Sequence, residues 1–576
     1  MPSHSKQSTV VIGLIVIAAF FVELAVLFMR AEHTVYAWDY GDFWRMSAGL
    51  VTLRHHSIFR AIAGFGWSMR FDYNDLSLLP SACMMGIFST SRFCYVISNA
   101  VFLNVPSTLL CLWLFARAAH VTWDQVAFSL LAFLALLAVP LPWAVTLSGM
   151  TDVAGLIMAA IATGLLCRTD LRSKDVVRWL AIGAALALLA LSKRWYLYLV
   201  IGLLVVYFLE IAVDLTVTSY RSRSLSLTSI RAAAYGPLFL LCGLIGIYFL
   251  SFPLPLTILT TNYSYIYSAY QSGDGWGSAL VANLDLIIQR FGVAQVALAF
   301  LCFAAALFFR QTRRAALYLY LPAWVAWLDV SRVQTLGDHH TLLLYISTAV
   351  TPIFLAQQLL SPAFPQAKPW GWSLLILAVL VSCLSYASVF STAPPFGSSL
   401  VQNVFPALRA QPVQRHDLTE IEALMQFVGD KVVNPPGQPP ELNVYLLSSS
   451  HLMNSSLLDS AGFQLNTPLP AEDYICRTHD VDHRDGFPES LVTAKLVLVA
   501  DPLQTHLDQE QKVLSVPVRL FLQGQGFAQA FTRDPRTFQF DDGIRVYVYE
   551  RARPSTPEEI EQLHEQVGVP TIGDGL

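Results

Sequence analysis

Apolar stretches long enough to cross a bilayer recur along most of this chain. A hydrocarbon core about 30 Å thick takes about 20 apolar residues as a helix. Such runs lie at Val10–Met29, Phe93–Ala116, Val126–Val145, Val153–Cys167, Trp179–Ser192, Trp195–Val213, Ala234–Phe252, Val293–Phe309, Ala315–Leu328, Thr341–Leu360 and Trp372–Ser391. This predicts a polytopic α-helical membrane protein of about eleven spans. Leu76–Ile87, short and containing Pro80, is a twelfth or re-entrant candidate. Only 13% of the 576 residues are charged and 55% are hydrophobic, against about 25% charged in soluble domains. A net charge of −4 is too small to argue for a nucleic-acid partner, and none is expected.

The first run lacks a small-residue cleavage site and is followed at once by Arg30-Ala31-Glu32-His33, so it reads as a retained helix. Loop charge orients the rest. With the N-terminus cytoplasmic, the inner segments carry thirteen Lys or Arg, from Lys6 to Lys368, and the short outer loops carry four: Lys193, Arg194, Arg290 and Arg332. The long first loop, Arg30–Arg92, is then outside. It holds six Arg and many aromatic residues, which suits amphipathic helices on the membrane surface.

Composition changes after Ser391. Residues 1–391 read as the membrane domain and 392–576 as a soluble α/β domain beyond the linker Thr392–Gly397. Asp417–Val432 has helical spacing, with Thr419 as its cap. Asn443–Leu447, Ala494–Ala500 and Gly543–Tyr549 read as strands. The acidic tail from Pro554 reads as loosely ordered. Of eight Cys only Cys476 lies in this domain, so it forms no internal disulfide. With eleven spans this domain is extracytoplasmic. A bacterial inner membrane with a periplasmic C-terminal domain is the expected location, with membrane lipids as neighbours.

Four polar constellations fall on the outer side. Trp38-Asp39-Tyr40-Gly41-Asp42 sets two carboxylates among rings at the mouth of a membrane helix, where charge is costly. Asp152, in Ser148-Gly149-Met150-Thr151-Asp152, is a candidate for catalysis or for capping the helix that follows. Lys193-Arg194 occupies a turn of almost no length; it binds a phosphate or snorkels to headgroups. Gly337-Asp338-His339-His340 offers a base, an interface or part of a metal site, although zinc needs three or four ligands. The tyrosines at 263, 265, 267 and 270 form an interfacial belt or a loop over a ligand. Asp480–Pro488 has the acids of a calcium loop but Val492 where the bidentate Glu belongs. No P-loop, dinucleotide fingerprint, nucleophile elbow or H-E-x-x-H occurs.

Those four constellations together resemble the integral-membrane glycosyltransferases of the GT-C superfamily, which include protein O-mannosyltransferases, lipid A aminoarabinose transferases and bacterial oligosaccharyltransferases. The likeness covers roughly residues 10–391 and is one of layout; the acids here are D-x-x-D, where many relatives have D-E or D-x-D. It implies sugar transfer from a polyprenyl-phosphate-linked donor to a glycan, lipid or protein acceptor on the outer face. It implies Asp39 or Asp42 as base, Asp152 as a further catalytic-site carboxylate that orients acceptor or donor or helps hold a metal, Lys193 and Arg194 at the donor phosphate, and His339 and His340 at the donor phosphate or sugar. Trp38, Tyr40 and Asp338 would line the substrate. No residue here is assigned as a metal ligand, and no cofactor is required beyond an optional divalent cation, Mg or Mn, that Asp152 would help hold. The competing classes are a polysaccharide or O-antigen ligase or polymerase, for which Arg45, Arg54, His55, His56 and Arg60 speak; a lipid-linked sugar transporter or flippase; and a non-catalytic scaffold.

Overall fold

A computed structural model describes residues 4–118, 126–222, 227–271, 275–393, 398–432, 443–465 and 474–570. It divides into two compact units. The first comprises Met1–Arg30, Met46–Thr261 and Ser272–Gln411; the second comprises Ala31–Arg45, Asn262–Gln271 and Pro412–Leu576. Residues 394–397 of the expected linker, and Gly273 and Asp274, lie outside the described residues.

The first unit is helical. Among the described residues five helices are long and apolar enough to cross a membrane: Gln7–Ala31, Arg92–Leu114, Tyr196–Arg221, Ala234–Ser251 and Pro365–Phe390. Two further pairs pass only together, Val126–Leu137 with Pro140–Leu147, bent by 49°, and Gly275–Phe291 with Val293–Phe308, bent by 102°. Val153–Arg168, Val176–Ser192 and Ile346–Leu360 are shorter apolar helices. The chain is thus a polytopic α-helical membrane protein. Each bend has a local cause. Pro140 forces extended backbone on Val139. Gly292 sits at φ +79, and a β-carbon there would lie 2.8 Å from Phe405 Cα, so only glycine fits.

The run expected as one helix over Thr341–Leu360 instead passes from 3-10 (His339–Leu344) through a π segment (Ile346–Val350) into α-helix (Thr351–Leu360). Arg92–Ala118 is interrupted likewise by a π segment at Ala100–Asn104. Both π segments end just before a proline, Pro352 or Pro106, whose missing N–H and ring disturb the regular ladder. Small residues allow close helix contact: a β-carbon on Gly183 would lie 2.1 Å from Leu240 O, and one on Gly243 2.5 Å from Leu180 O. Arg314 ties three helices together, pairing with Glu210 at 2.7 Å and donating to Thr169 O at 2.7 Å.

The second unit is built on a four-stranded sheet of β1 (Val444–Leu447), β2 (Leu496–Asp501), β3 (Phe531–Gln539) and β4 (Arg545–Arg551), ordered β1-β2-β4-β3. β1 and β2 are parallel; the other pairings are antiparallel, with Leu498 opposite Val548 and Phe538 opposite Val546. Alternation splits the strand residues between two cores. Leu446, Leu498, Val546 and Val548 pack under helices Leu418–Val432 and Ser455–Gln464. Leu447, Val497, Tyr547 and Tyr549 pack under Lys512–Gln523 and Pro557–Val567. Val35 and Ala37 join the first of these cores. His33 N–H donates to Val413 O and Arg415 N–H to His33 O, stitching the segment after the first long helix onto this unit.

Three local expectations need correction. Thr419 lies inside its helix, which begins at Leu418, and Asp417 O accepts the first backbone bonds. The tail from Pro554 carries helix Pro557–Val567, closed by a capping box of Thr556 and Glu559, with Leu563 and Val567 buried. β3 was not foreseen, because its exposed polar residues and Pro535 mask the alternation.

Candidate active site

In the first unit the loop Ser148–Asp152 is pinned from several sides. Gly149 adopts φ +95, and the Arg92 guanidinium fills the space a side chain would need, 2.2 Å from an ideal β-carbon. Arg92 Nη2 donates to Ser148 O at 2.6 Å, Tyr95 O–H to Gly149 O at 2.8 Å and Tyr196 O–H to Asp152 O at 2.7 Å. Ser77 and Thr151 share a hydrogen bond of 2.8 Å. The loop delivers Asp152 to the start of helix Val153–Arg168, but its side chain makes no capping bond. Both carboxylate oxygens are fully buried, with no hydrogen-bond partner among the described residues. The capping role is thereby overturned. A buried carboxylate without a partner is costly, which is the mark of a group arranged for function rather than for stability.

Lys193 and Arg194 form the turn between helices Val176–Ser192 and Tyr196–Ser222. Lys193 is buried, with Nζ 5.2 Å from the Tyr73 ring and 5.6 Å from the Trp195 ring. Arg194 pairs with Asp72 at 2.7 Å. Asn74, also buried, donates to Leu191 O at 2.9 Å, which fixes residues 72–77 against the end of helix Val176–Ser192. The Trp195 ring lies 4.9 Å from His339 and 4.7 Å from His340. His340 Nδ1 accepts from the Gly337 N–H at 3.0 Å. Burial holds the His340 imidazole well below its ordinary pKa, reinforced by the neighbouring His339 and the positive charges of Arg194 and Arg290. It is therefore neutral, with Nε2 carrying the proton as a donor. Asp338 neutralises Arg290.

The turn 193–196 thus gathers Asp152, Lys193, Arg194, His339 and His340 around Trp195 and Tyr196. The sequence reading missed Asp72, Arg92 and Tyr95; none belongs to a motif, and each reaches the site across long chain separations.

Asp39 and Asp42 belong to the second unit. Trp38 opens helix Trp38–His56 at φ +50, rare for a residue with a side chain. Gly41 permits the close approach of the preceding turn: a β-carbon there would lie 2.4 Å from Tyr36 O. Asp42 pairs with Arg45 at 2.7 Å, and Arg45 with Asp459 at 2.7 Å. Burial pushes the Asp42 carboxyl up to about 6; Arg45 opposes the shift, and the charges of Asp39 and Asp459 add to it. Asp39 lies in the first helical turn, where the helix dipole favours an anion. Phe43 and Trp44 are buried, and Trp44 packs on Phe463 at 5.0 Å.

The tyrosine segment 262–271 belongs to this unit too. Tyr265 stacks on His483 at 4.6 Å, and Tyr270 accepts from Arg484 at 2.8 Å. The acids of the 480–485 loop are committed to Arg484 and to backbone N–H groups, so it is a closed polar loop. Among the described residues no three His, Cys, Asp or Glu side chains come together to hold a metal ion. The described residues do not fit a protein-held divalent cation.

No protein-family model matches the chain, and no curated protein matches it. Among solved structures it is similar to ArnT from Cupriavidus metallidurans bound to undecaprenyl phosphate, at 15% identity and a TM-score of 0.51, over 95% of this chain and 99% of that one. The apo state of the same protein aligns at 15% identity and a TM-score of 0.50, over the same shares. An oligosaccharyltransferase from Archaeoglobus fulgidus aligns at 12% identity and a TM-score of 0.46, over 86% of this chain and 69% of its own. The chain has the GT-C fold.

Proposed function

We propose that this protein transfers a sugar from a polyprenyl-phosphate-linked donor to an acceptor hydroxyl or amine at the outer face of the membrane. The observation that carries this reading is the first-unit cluster: two cations, Lys193 and Arg194, and a neutral His340 around Trp195, beside Asp152, which is buried and has no side-chain hydrogen-bond partner among the described residues. Sugar transfer with inversion forms a bond from the acceptor atom to the anomeric carbon while the bond to the phosphate oxygen breaks. The electron pair leaves on the phosphate, and the acceptor proton passes to a carboxylate.

Lys193, Arg194 and the His340 Nε2–H are the groups of this chain suited to the charge developing on the leaving phosphate. Arg194 already faces Asp72, so a phosphate shares or displaces that partner. Asp152 orients a hydrogen-bond donor of the sugar or acceptor. Asp39 and Asp42 supply the base. Asp42, raised to about 6, is matched to proton transfer near neutral pH. The ligase reading loses Arg45, which is committed to Asp42 and Asp459.

The test is transfer of labelled sugar from a polyprenyl-phosphate donor in membranes, comparing wild type with Asp39→Asn, Asp42→Asn and Asp152→Asn. Transfer undiminished in all three would overturn the assignment. A scaffold or transporter predicts that outcome.

A further inference from the structure

The residue before Asp39 is held in an unusual way. Trp38 has φ +50, a left-handed conformation that persists in a residue with a side chain only when its surroundings over-determine it. Three contacts do so. The Trp38 N–H donates to Ser456 Oγ at 2.7 Å. Its ring meets His451 edge-on at 4.8 Å and His506 at 5.5 Å.

His506 is in turn fixed through both nitrogens. Nδ1 lies 3.0 Å from Ser449 O and 3.2 Å from Ser449 Oγ. Nε2 lies 3.1 Å from Tyr270 O–H. Tyr270 O accepts from Arg484 Nη1 at 2.8 Å, and Arg484 is anchored by Asp485 at 2.7 Å. One assignment of protons satisfies the whole series: Arg484 donates to Tyr270, Tyr270 donates to His506 Nε2, and His506 Nδ1–H donates to Ser449 O. That requires a neutral imidazole. Burial holds His506 down at about 4, which agrees. The series joins the 262–271 segment to the backbone immediately before Asp39.

We propose that Tyr270, His506 and Trp38 form a positioning linkage through which the 262–271 segment sets the orientation of the carboxylate on Asp39. None of the three is a catalytic residue in this scheme. His506 and Tyr270 act through Trp38, whose strained backbone aims the first turn of the helix. The proposal rests on the reading of Asp39 as part of the transfer site.

Two measurements on the full chain in detergent or nanodiscs test it. The first is steady-state transfer by Tyr270→Phe and His506→Ala, with Tyr265→Phe as control. Tyr270→Phe removes one oxygen and lowers kcat about tenfold, the scale of one lost hydrogen bond, with the donor KM unchanged. The double variant is no worse than His506→Ala alone, because both residues act in one series. The second is the 19F resonance of Trp38 in 5-fluorotryptophan-labelled protein, picked out from the thirteen tryptophans by its loss in Trp38→Phe. It moves in Tyr270→Phe and His506→Ala and stays in Tyr265→Phe.

If wild type transfers sugar and both variants keep its kcat, the linkage is overturned while the transfer reading stands. If wild type transfers nothing, the transfer reading falls, and with it the role assigned to Asp39. The 19F result then decides the coupling alone: an unmoved Trp38 resonance overturns it, and a moved one upholds it.

Discussion

The Arg92 guanidinium occupies the space that a side chain on Gly149 would fill, 2.2 Å from where its β-carbon would stand. Glycine is also required there by φ +95. Gly149→Ala must therefore expel Arg92 and strain the backbone together. The expected cost is about 1–3 kcal/mol from the backbone alone, read as a lower Tm of the detergent-solubilised protein. Transfer falls as well, since the same loop carries Asp152. Arg92→Ala combined with Gly149→Ala removes the clash but not the strain, and recovers only part of the Tm.

Asp42 titrates near 6 because burial outweighs its pairing with Arg45. With Asp42 as base, the transfer rate falls below about pH 6 as the carboxylate takes up a proton. Arg45→Gln removes the main influence lowering this pKa and moves the acid limb of the rate profile to higher pH. Stability runs the other way. The folded chain binds this proton more tightly than the unfolded one, so stability declines as pH rises from about 4 to about 6 and is flat above. A pH–rate profile whose acid limb is unmoved in Arg45→Gln would exclude Asp42 as the titrating base.

Asp72 neutralises Arg194 at 2.7 Å, and Lys193 is buried among rings. Lys193→Met is expected to lower kcat/KM for the donor by a factor of about 10–100, the scale of one charge-assisted hydrogen bond. Asp72→Asn releases Arg194 from its partner and is expected to lower the donor KM, most at low salt. Equal KM values in the two variants would show that the turn does not bind the phosphate.

In the second unit Arg484 holds the Asp485 carboxyl well below the ordinary carboxylate range. A depressed pKa stabilises the fold fully above the unfolded value, about 4, and the contribution declines below that and is lost only as pH falls through the depressed folded value. Asp485→Asn removes this acid-sensitive term and leaves Arg484 poorly neutralised, at about 3–5 kcal/mol for a buried pair broken on one side. Thermal unfolding between pH 3 and 7 checks both. The loss in Tm should be large at pH 7 and only begin to shrink as pH falls below about 4, because the folded carboxyl is still ionised at pH 3.

Helical membrane spans were legible because apolar length is a local property of the chain. So were strands β1, β2 and β4 of the second unit, whose apolar runs face two cores. The bends were less so. Those at Pro140 and Gly292, and the π segments before Pro106 and Pro352, depend on single residues whose effect is set by what packs beside them. β3, with few buried residues, carried too weak an alternation to be found.

The candidate site divides in the same way. Asp152, Lys193, Arg194, His339 and His340 stood out because charge and imidazole next to apolar runs are expensive and therefore conspicuous. Their partners did not. Asp72 reaches Arg194, and Arg92 reaches Gly149, across long separations in chain, and such pairing leaves no periodic signal. The roles of the first-loop acids were equally hidden. Asp42 and Asp39 look alike in sequence, and only the tertiary structure places Arg45 and Asp459 beside the one and the strained Trp38 before the other. The chain by itself determined that it crosses a membrane many times and carries costly polar groups at the ends of its spans, because the transfer free energy of each residue is additive along the sequence. Which of those groups are paired, which are left without a partner and which neighbours tune them was decided by the fold alone, because hydrogen bonds and Coulomb interactions act through space.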